Sequence, residues 1–137
     1  MTARFIDTNI FLRYLTRDDP KKAQACYDLF QKAKRGEIAL ITSECVIAEL
    51  VYVLSSERLY GLPRSEIRTL LYPLLSLPGL KLPHRATYLR ALDLYAAYPI
   101  DFEDAILVAQ MERQGVDEIY SYDRDFDRVP ELIRLEP

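Results

Sequence analysis

Apolar and polar residues alternate along the chain in short runs that predict strands separated by amphipathic helices. Residues 4–6 form a brief apolar run that predicts a strand, and the apolar residues that follow recur at helical spacing. Asp19-Pro20 predicts the start of a second helix, which ends at Gly36. We predict further strands at 37–41, 80–82, 118–122 and 132–135, and further helices from Thr42 or Ser43 to about Leu59, from 63–65 to about Leu75, from His84 to Tyr98 and from Asp101 to Gly115. Pro73 should kink or end the fourth helix.

This order of elements predicts an α/β fold. Strands that alternate with helices and lack hairpin turns form a mostly parallel sheet, with helices on both faces. The length of 137 residues corresponds to one domain. We therefore expect residues 1–137 to form a single three-layer α/β/α domain around a mostly parallel central sheet.

Composition excludes several kinds of site. His84 is the only histidine, so catalysis or zinc binding by a histidine pair is excluded. Cys26 and Cys45 are not spaced as a zinc pair, and we expect both to be buried free thiols. The four glycines form neither a P-loop nor a dinucleotide-binding fingerprint. The most apolar segment, residues 38–54, carries two glutamates and is not expected to span a membrane, so we expect a soluble, cytoplasmic protein.

Charge is distributed unevenly along the chain. The net charge is −3, but residues 1–36 carry eight basic and four acidic side chains. Residues 101–137 carry four basic and eleven acidic side chains. We expect some of the late carboxylates to serve a site, because so many like charges in one segment repel one another.

Two aspartates directly follow predicted strands. Asp7 follows the first strand, and Asp123 follows the strand that ends at Tyr122. Because ligands bind beyond the carboxyl ends of parallel strands, we expect these two carboxylates to lie at the same edge of the sheet. Each is also an ordinary helix N-cap or turn residue, and that alternative stays open.

Two further carboxylates lie in apolar helices. Glu49 belongs to a helix that is apolar on nearly every face, so we expect it to be buried. A buried carboxylate needs an arginine partner or a metal ion. Asp104 precedes the apolar run 105–109 and shares a helix face with Asp101, which also fits the N-cap of that helix.

Four converging carboxylates would repel one another unless a cation lay among them. Oxygen ligands without histidine or cysteine favour Mg²⁺ or Mn²⁺ over zinc. Mg²⁺ commonly binds one or two carboxylates together with a substrate phosphate. The residues alone therefore indicate metal-assisted phosphoryl chemistry.

The order and spacing of these acids resemble those of the PIN-domain ribonucleases, and in particular the VapC-type toxins of toxin–antitoxin pairs. The segments that carry the resemblance are Phe5-Ile6-Asp7-Thr8-Asn9, Glu49 in its apolar helix, Phe102-Glu103-Asp104-Ala105, and Tyr120-Ser121-Tyr122-Asp123-Arg124-Asp125-Phe126. The resemblance implies a PIN-like fold and a Mg²⁺- or Mn²⁺-dependent endoribonuclease, which hydrolyses RNA with a metal-activated water. It also implies a homodimer and a small inhibitory antitoxin.

The same resemblance assigns the site residues. The catalytic, metal-binding acids would be Asp7, Glu49, Asp104 and Asp123. The supporting polar groups would be the hydroxyls of Thr8 and Ser121 and the amide of Asn9. Asp101 is a further acid that could join the set, and Asp125 and Asp127 are alternatives in the last loop.

An RNA substrate also needs positive charge. Arginine outnumbers lysine thirteen to five, and arginine suits bidentate phosphate contacts. The candidates near Asp7 are Arg13, Arg17, Lys21 and Lys22, and those near Asp123 are Arg124 and Arg128. Solvated surface charge, or contact with an acidic partner, is the alternative for each. We expect three tyrosines that could stack on bases to pack in the core instead, namely Tyr14, Tyr120 and Tyr122.

Other functions require other residues at these positions. A dehalogenase-type phosphatase needs a second aspartate at position 9, where this chain has Asn9. A receiver-type phosphoacceptor domain needs paired acids after the first strand. The alternative that stays open is a PIN-like module that binds RNA or protein without cleaving it, although such a module would usually lack one or more of the acids.

Overall fold

Strands and helices alternate along the chain in the computed structural model, which describes residues 2–137. The strands are β1 (Ala3–Phe5), β2 (Ala39–Ile41), β3 (Leu80–Lys81), β4 (Glu118–Tyr120) and β5 (Ile133–Leu135). The helices are α1 (Thr8–Thr16), α2 (Pro20–Lys34), α3 (Glu44–Ser55), α4 (Arg64–Leu75), α5 (Arg85–Ala97) and α6 (Phe102–Gln114). A 3₁₀ helix covers Arg124–Arg128.

All strand pairs in the described residues are parallel. β1, β2 and β3 form one three-stranded sheet in that order, and Arg4 lies opposite Leu40 in its register. β4 pairs with β5 in a separate two-stranded ladder, with Ile119 opposite Arg134. The predicted α/β fold with parallel strands is therefore confirmed. The described strands form two separate hydrogen-bonded sheets, β1–β3 and β4–β5.

The helix ends follow the local signals in the sequence. The Asp19 side chain accepts a hydrogen bond from the Lys22 amide and caps α2, whose first residue is Pro20. Gly115 ends α6 in the left-handed conformation at φ 70°. The predicted extension of helix α3 to Leu59 is wrong, because Ser56 adopts an extended conformation and ends the helix.

The core lies between the helices and the three-stranded sheet. Its largest fully buried side chains come from every part of the chain up to α5: Phe11, Phe30, Leu40, Ile47, Leu50, Leu54, Ile67, Leu71, Leu75, Leu80, Leu92 and Leu94. On α4 the buried residues recur at helical spacing, and the helix continues two residues past the exposed Pro73. Burial of this apolar area is the main source of stability.

Two expectations about burial have different outcomes. Cys26 is buried on α2 as predicted, whereas Cys45 is exposed on α3, so the prediction of two buried thiols is wrong for Cys45. The error arises because α3 is covered on one side only. Within residues 2–137, no helix combines the length and apolar character needed to cross a membrane.

Gly79 precedes β3 at a close approach to α2, and it gives a test of this packing. Its φ is +89°, and a Cβ atom at this position would lie 2.1 Å from the Ala33 carbonyl oxygen. We expect Gly79→Ala to lower the free energy of unfolding by about 2–4 kcal/mol, from the strained φ and the backbone clash together. Urea denaturation measures this loss.

The matched control is Gly36→Ala. Gly36 also has a positive φ of +78°, but no atom lies within 4 Å of a Cβ built there. The control should therefore show only the conformational cost of about 1 kcal/mol. Equal losses in the two variants would contradict the close approach of α2 and β3.

Candidate functional site

Asp104 stands in the first turn of α6. Asp101 occupies the N-cap position, but its side chain accepts no hydrogen bond from the helix. The rest of α6 is held by its apolar side, because Ala105, Ile106, Val108 and Ala109 are all buried. Asp104 itself is half-buried at the edge of this packing. A carboxylate at a helix N-terminus is favoured by the helix dipole.

The loop after β4 brings two more carboxylates to Asp104. One carboxylate oxygen from each of Asp104, Asp123 and Asp125 lies within 4.8 Å of the others. We call these three residues the acidic triplet. The loop is shaped by short-range hydrogen bonds: Ser121 Oγ accepts from the Asp123 amide at 3.0 Å, and Asp123 Oδ1 accepts from the Asp125 amide at 2.9 Å.

The surroundings of Asp104 raise the pKa of its carboxyl. Burial raises the pKa of the Asp104 carboxyl, and the neighbouring charge of Asp123 raises this pKa further. Asp101, Asp125 and Glu103 add smaller increases in the same direction. The folded chain therefore places a carboxylate where its negative charge is unfavourable unless a cation is present.

The N-cap of α1 and helix α3 hold the other two predicted acids. Asp7 caps α1, where its Oδ1 accepts a hydrogen bond from the Asn9 amide at 3.1 Å. The buried Thr8 donates from Oγ1 to Glu49 Oε2 at 2.9 Å. Asp7 and Glu49 do not belong to the acidic triplet. Their part in a metal site stays a prediction.

Glu49 is exposed, so the prediction that it is buried is wrong. The buried residues of α3 recur at helical spacing on one side of the helix: Ile47, Leu50, Val51 and Leu54. Glu49 shares the opposite, exposed side with Cys45 and Tyr52. Because Cys45 and Tyr52 are counted as apolar residues, the sequence of α3 predicts burial on every side of the helix.

The arginine candidates lie at the surface or at its edge. Arg13 lines a cavity of about 410 Å³ together with Asp7, Asn9 and Lys22. Arg17 and Arg124 are exposed. None of the three arginines forms an ion pair within residues 2–137. Their positive charge is therefore not neutralised by a neighbouring carboxylate of this chain.

Two expectations about the last loop change in the structure. Asp125 joins the acidic triplet and also forms an ion pair with Arg128 at 3.3 Å, whereas Asp127 accepts a hydrogen bond from Arg134 at 3.0 Å and lies outside the triplet. The prediction that Tyr120 and Tyr122 pack in the core is wrong, because they are 71% and 70% exposed. Tyr14 packs against Phe30 as predicted. Asp125 is one of the two alternatives that the alternating aspartates at positions 123, 125 and 127 indicate in the sequence.

The donor set of the acidic triplet fits a hard divalent cation. All three side chains offer carboxylate oxygens, and histidine and cysteine are absent from the group. Oxygen-only donors suit Mg²⁺ or Mn²⁺ and not zinc. A cation there would also relieve the repulsion that raises the pKa of Asp104.

The model of one protein family, the PIN domain, matches residues 4–132. No curated protein matches the chain. Among solved structures, the chain is similar to one described as "Crystal structure of VapBC2 from Rickettsia felis bound to a DNA fragment from their promoter". The sequence identity is 18%, the alignment covers 98% of each chain, and the TM-score is 0.39.

The raised pKa of Asp104 predicts a stability change that depends on pH. A carboxyl whose pKa is higher in the folded than in the unfolded state destabilises the folded protein once it ionises. In metal-free protein at neutral pH, Asp104→Asn should therefore raise the unfolding temperature. The gain should shrink as the pH falls through the pKa of Asp104, because the wild-type carboxyl then becomes neutral too. Thermal unfolding in the presence of a chelator measures both.

Asp117→Asn is the control for this comparison. Asp117 is exposed and lies beyond the C-terminus of α6. Its substitution should leave the unfolding temperature nearly unchanged at every pH. A lower unfolding temperature for Asp104→Asn at neutral pH would contradict unfavourable ionisation of Asp104.

Proposed function

The chain belongs to the PIN domain family, and on that premise we propose that it is a metal-dependent endoribonuclease. The observation that carries the proposal is the acidic triplet of Asp104, Asp123 and Asp125, whose carboxylate oxygens lie within 4.8 Å of one another. Such a cluster is unfavourable without a cation and suited to Mg²⁺ or Mn²⁺. The proposed reaction is hydrolysis of an RNA phosphodiester bond.

The acidic triplet would hold the cation, with Asp7 and Glu49 as the additional acids that the family resemblance assigns. A bound divalent cation supplies Lewis acidity, which activates water and offsets the charge that develops on the phosphate. Asp101 is near enough to affect Asp104 electrostatically, and it is a candidate to support the same site. No carboxylate needs to act as the nucleophile.

The polar neighbours of the acids would keep them in place. The Ser121 hydroxyl and the Asp123 carboxylate fix the loop through bonds to backbone amides. Thr8 orients Glu49, and the backbone N–H of Asn9 orients Asp7. Preorganised ligands lose less entropy when they bind, so these bonds favour cation and substrate binding.

Arg13, Arg17 and Arg124 are the proposed contacts to the RNA backbone. Arg13 shares its cavity with Asp7 and Lys22, so a phosphate beside Asp7 would meet positive charge on α1 and α2. Arg124 follows Asp123 directly. Phosphate contacts of this kind do not read the base sequence, but they determine the position of the strand.

The proposed biological setting rests on the sequence resemblance to VapC-type toxins. In that setting residues 1–137 are a single nuclease domain in the cytoplasm. The protein would form a homodimer and be inhibited by a cognate antitoxin. The function that competes with this one is a PIN-like module that binds RNA or protein without cleaving it.

RNA cleavage tests the proposed activity. Purified protein should cleave single-stranded RNA with Mg²⁺ or Mn²⁺, stop when a chelator is added, and leave 5′-phosphate and 3′-hydroxyl ends. Asp7→Asn and Asp104→Asn should each reduce the rate at least about a hundredfold, since both remove a proposed metal ligand. Gel electrophoresis of end-labelled RNA measures the rate and identifies the ends.

The control for cleavage is Asp28→Asn. Asp28 is exposed on α2, where it accepts a hydrogen bond from Gln24, and its loss should leave the rate unchanged. Full activity of both Asp7→Asn and Asp104→Asn would refute the site. Cyclic phosphate ends without metal would refute the reaction, and RNA binding without cleavage under every metal would favour the non-catalytic module.

Metal binding separates Asp125 from its neighbour Asp127. We expect Asp125→Asn to weaken Mn²⁺ binding at least about tenfold, because it removes one oxygen donor of the acidic triplet. Asp127→Asn is the matched control, because Asp127 is paired with Arg134 and lies outside the triplet. Isothermal titration calorimetry measures both affinities. Equal Mn²⁺ affinities in wild type and Asp125→Asn would show that Asp125 is not a ligand.

A further inference from the structure

A cavity opens at the start of α6, the helix that carries Asp104, and no residue of the acidic triplet lines it. It has a volume of about 470 Å³ and opens between α3, the start of α4, the end of α5 and the start of α6. Tyr52, Arg64, Asp101 and Glu103 line it. Its volume falls in the range of roughly 300–1,000 Å³ that small-ligand sites occupy.

We infer that this cavity is a base-binding subsite that favours guanine in a single-stranded RNA substrate. The inference rests on the proposed ribonuclease function and adds a base preference to it. The cavity and the acidic triplet share the start of α6. Asp101 and Glu103 belong to the same helix start as Asp104, and Tyr52 lies one turn after Glu49 on α3.

Tyr52 provides an aromatic face for a base. The side chain is 69% exposed, although it lines the cavity. Among residues 2–137, its ring takes part in no aromatic or cation–π contact. Stacking on an exposed ring is the usual way in which proteins bind unpaired bases.

The charges of the cavity favour a base over a phosphate. Asp101 and Glu103 are exposed carboxylates without a side-chain hydrogen-bond partner in the described part of the chain, and they would repel a phosphate. The one cationic side chain in the lining, Arg64, has its Nη1 group bound to the backbone. Arg64 Nη1 donates to the carbonyls of Tyr95, Tyr98 and Ile100, and its guanidinium lies 4.3 Å from the centre of the Tyr95 ring.

The unpaired carboxylates also discriminate between bases. A carboxylate accepts hydrogen bonds and donates none when ionised. Guanine presents two adjacent donors, N1–H and the N2 amino group, on its Watson–Crick edge. Adenine and cytosine place an acceptor next to their amino group, and uracil places its single N3–H between two carbonyl groups. Guanine is therefore the base that can bind one carboxylate through two hydrogen bonds.

The test is RNA binding without catalysis. Four fluorescent 10-nucleotide RNAs, uridine throughout or with a central guanosine, adenosine or cytidine, are titrated with wild-type protein in a chelator. We expect the guanosine RNA to bind about tenfold more tightly than the other three, the discrimination given by one good bidentate contact. Fluorescence anisotropy gives the affinities.

Two variants separate stacking from hydrogen bonding. Glu103→Gln should reduce the guanosine preference at least about threefold, since a neutral amide replaces a charged acceptor. Tyr52→Ala should weaken binding of the guanosine RNA, and Tyr52→Phe should restore it, because both aromatic rings stack. Glu131→Gln, an exposed glutamate outside this cavity, should change nothing. Circular dichroism confirms that each variant is folded.

The binding measurements test the guanine subsite without depending on RNA cleavage. Equal affinities for the four RNAs, or a guanosine preference that survives both Glu103→Gln and Tyr52→Ala, would overturn the subsite. Guanosine preference without cleavage under any metal would support the subsite and contradict the nuclease activity.

Discussion

The mutual repulsion of three carboxylates is the constraint on which the site depends. Asp104, Asp123 and Asp125 lie within 4.8 Å of one another, and Asp104 is half-buried, so its charge is poorly solvated. A folded domain is stable by only about 5–15 kcal/mol, so such a cluster needs rigid support. The buried side of α6 provides it, because moving Asp104 away would expose Ile106 and its neighbours. Packing in the core holds the three carboxylates close together although their charges repel one another, and a bound cation would reduce that repulsion.

Short-range hydrogen bonds complete the support where the core does not reach. The loop after β4 is largely exposed, and its shape depends on the bonds from backbone amides to Ser121 and Asp123. The buried hydroxyl of Thr8, the first residue of α1, ties Glu49 of α3 to the start of α1. Each of these polar side chains forms a hydrogen bond with a nearby donor or acceptor. The same side chains surround the acids.

Arg64 links the helices around the cavity. The last carbonyl groups of a helix have no hydrogen-bond donor within the helix. Arg64 Nη1 donates to the carbonyl of Tyr95 in α5 and to those of Tyr98 and Ile100 beyond it. The bonds join the start of α4 to the turn that leads into α6. The Nη1 group of this guanidinium is thereby engaged by the backbone, and the other charged groups that line the cavity are the carboxylates of Asp101 and Glu103.

Local signals made much of this protein predictable from its sequence. The order of strands and helices, the cap of α2 at Asp19, the end of α6 at Gly115 and the place of Asp104 at a helix start all depend on residues within one or two turns of one another. The segments around Asp7, Glu49, Asp104 and Asp123 indicated the family. The tertiary structure alone decided that Glu49, Cys45, Tyr120 and Tyr122 are exposed, that Asp125 joins Asp104, and that Arg64 closes one side of a cavity. The physical reason is that periodicity shows which residues share a face, whereas burial and charge contacts depend on which distant segment packs against that face.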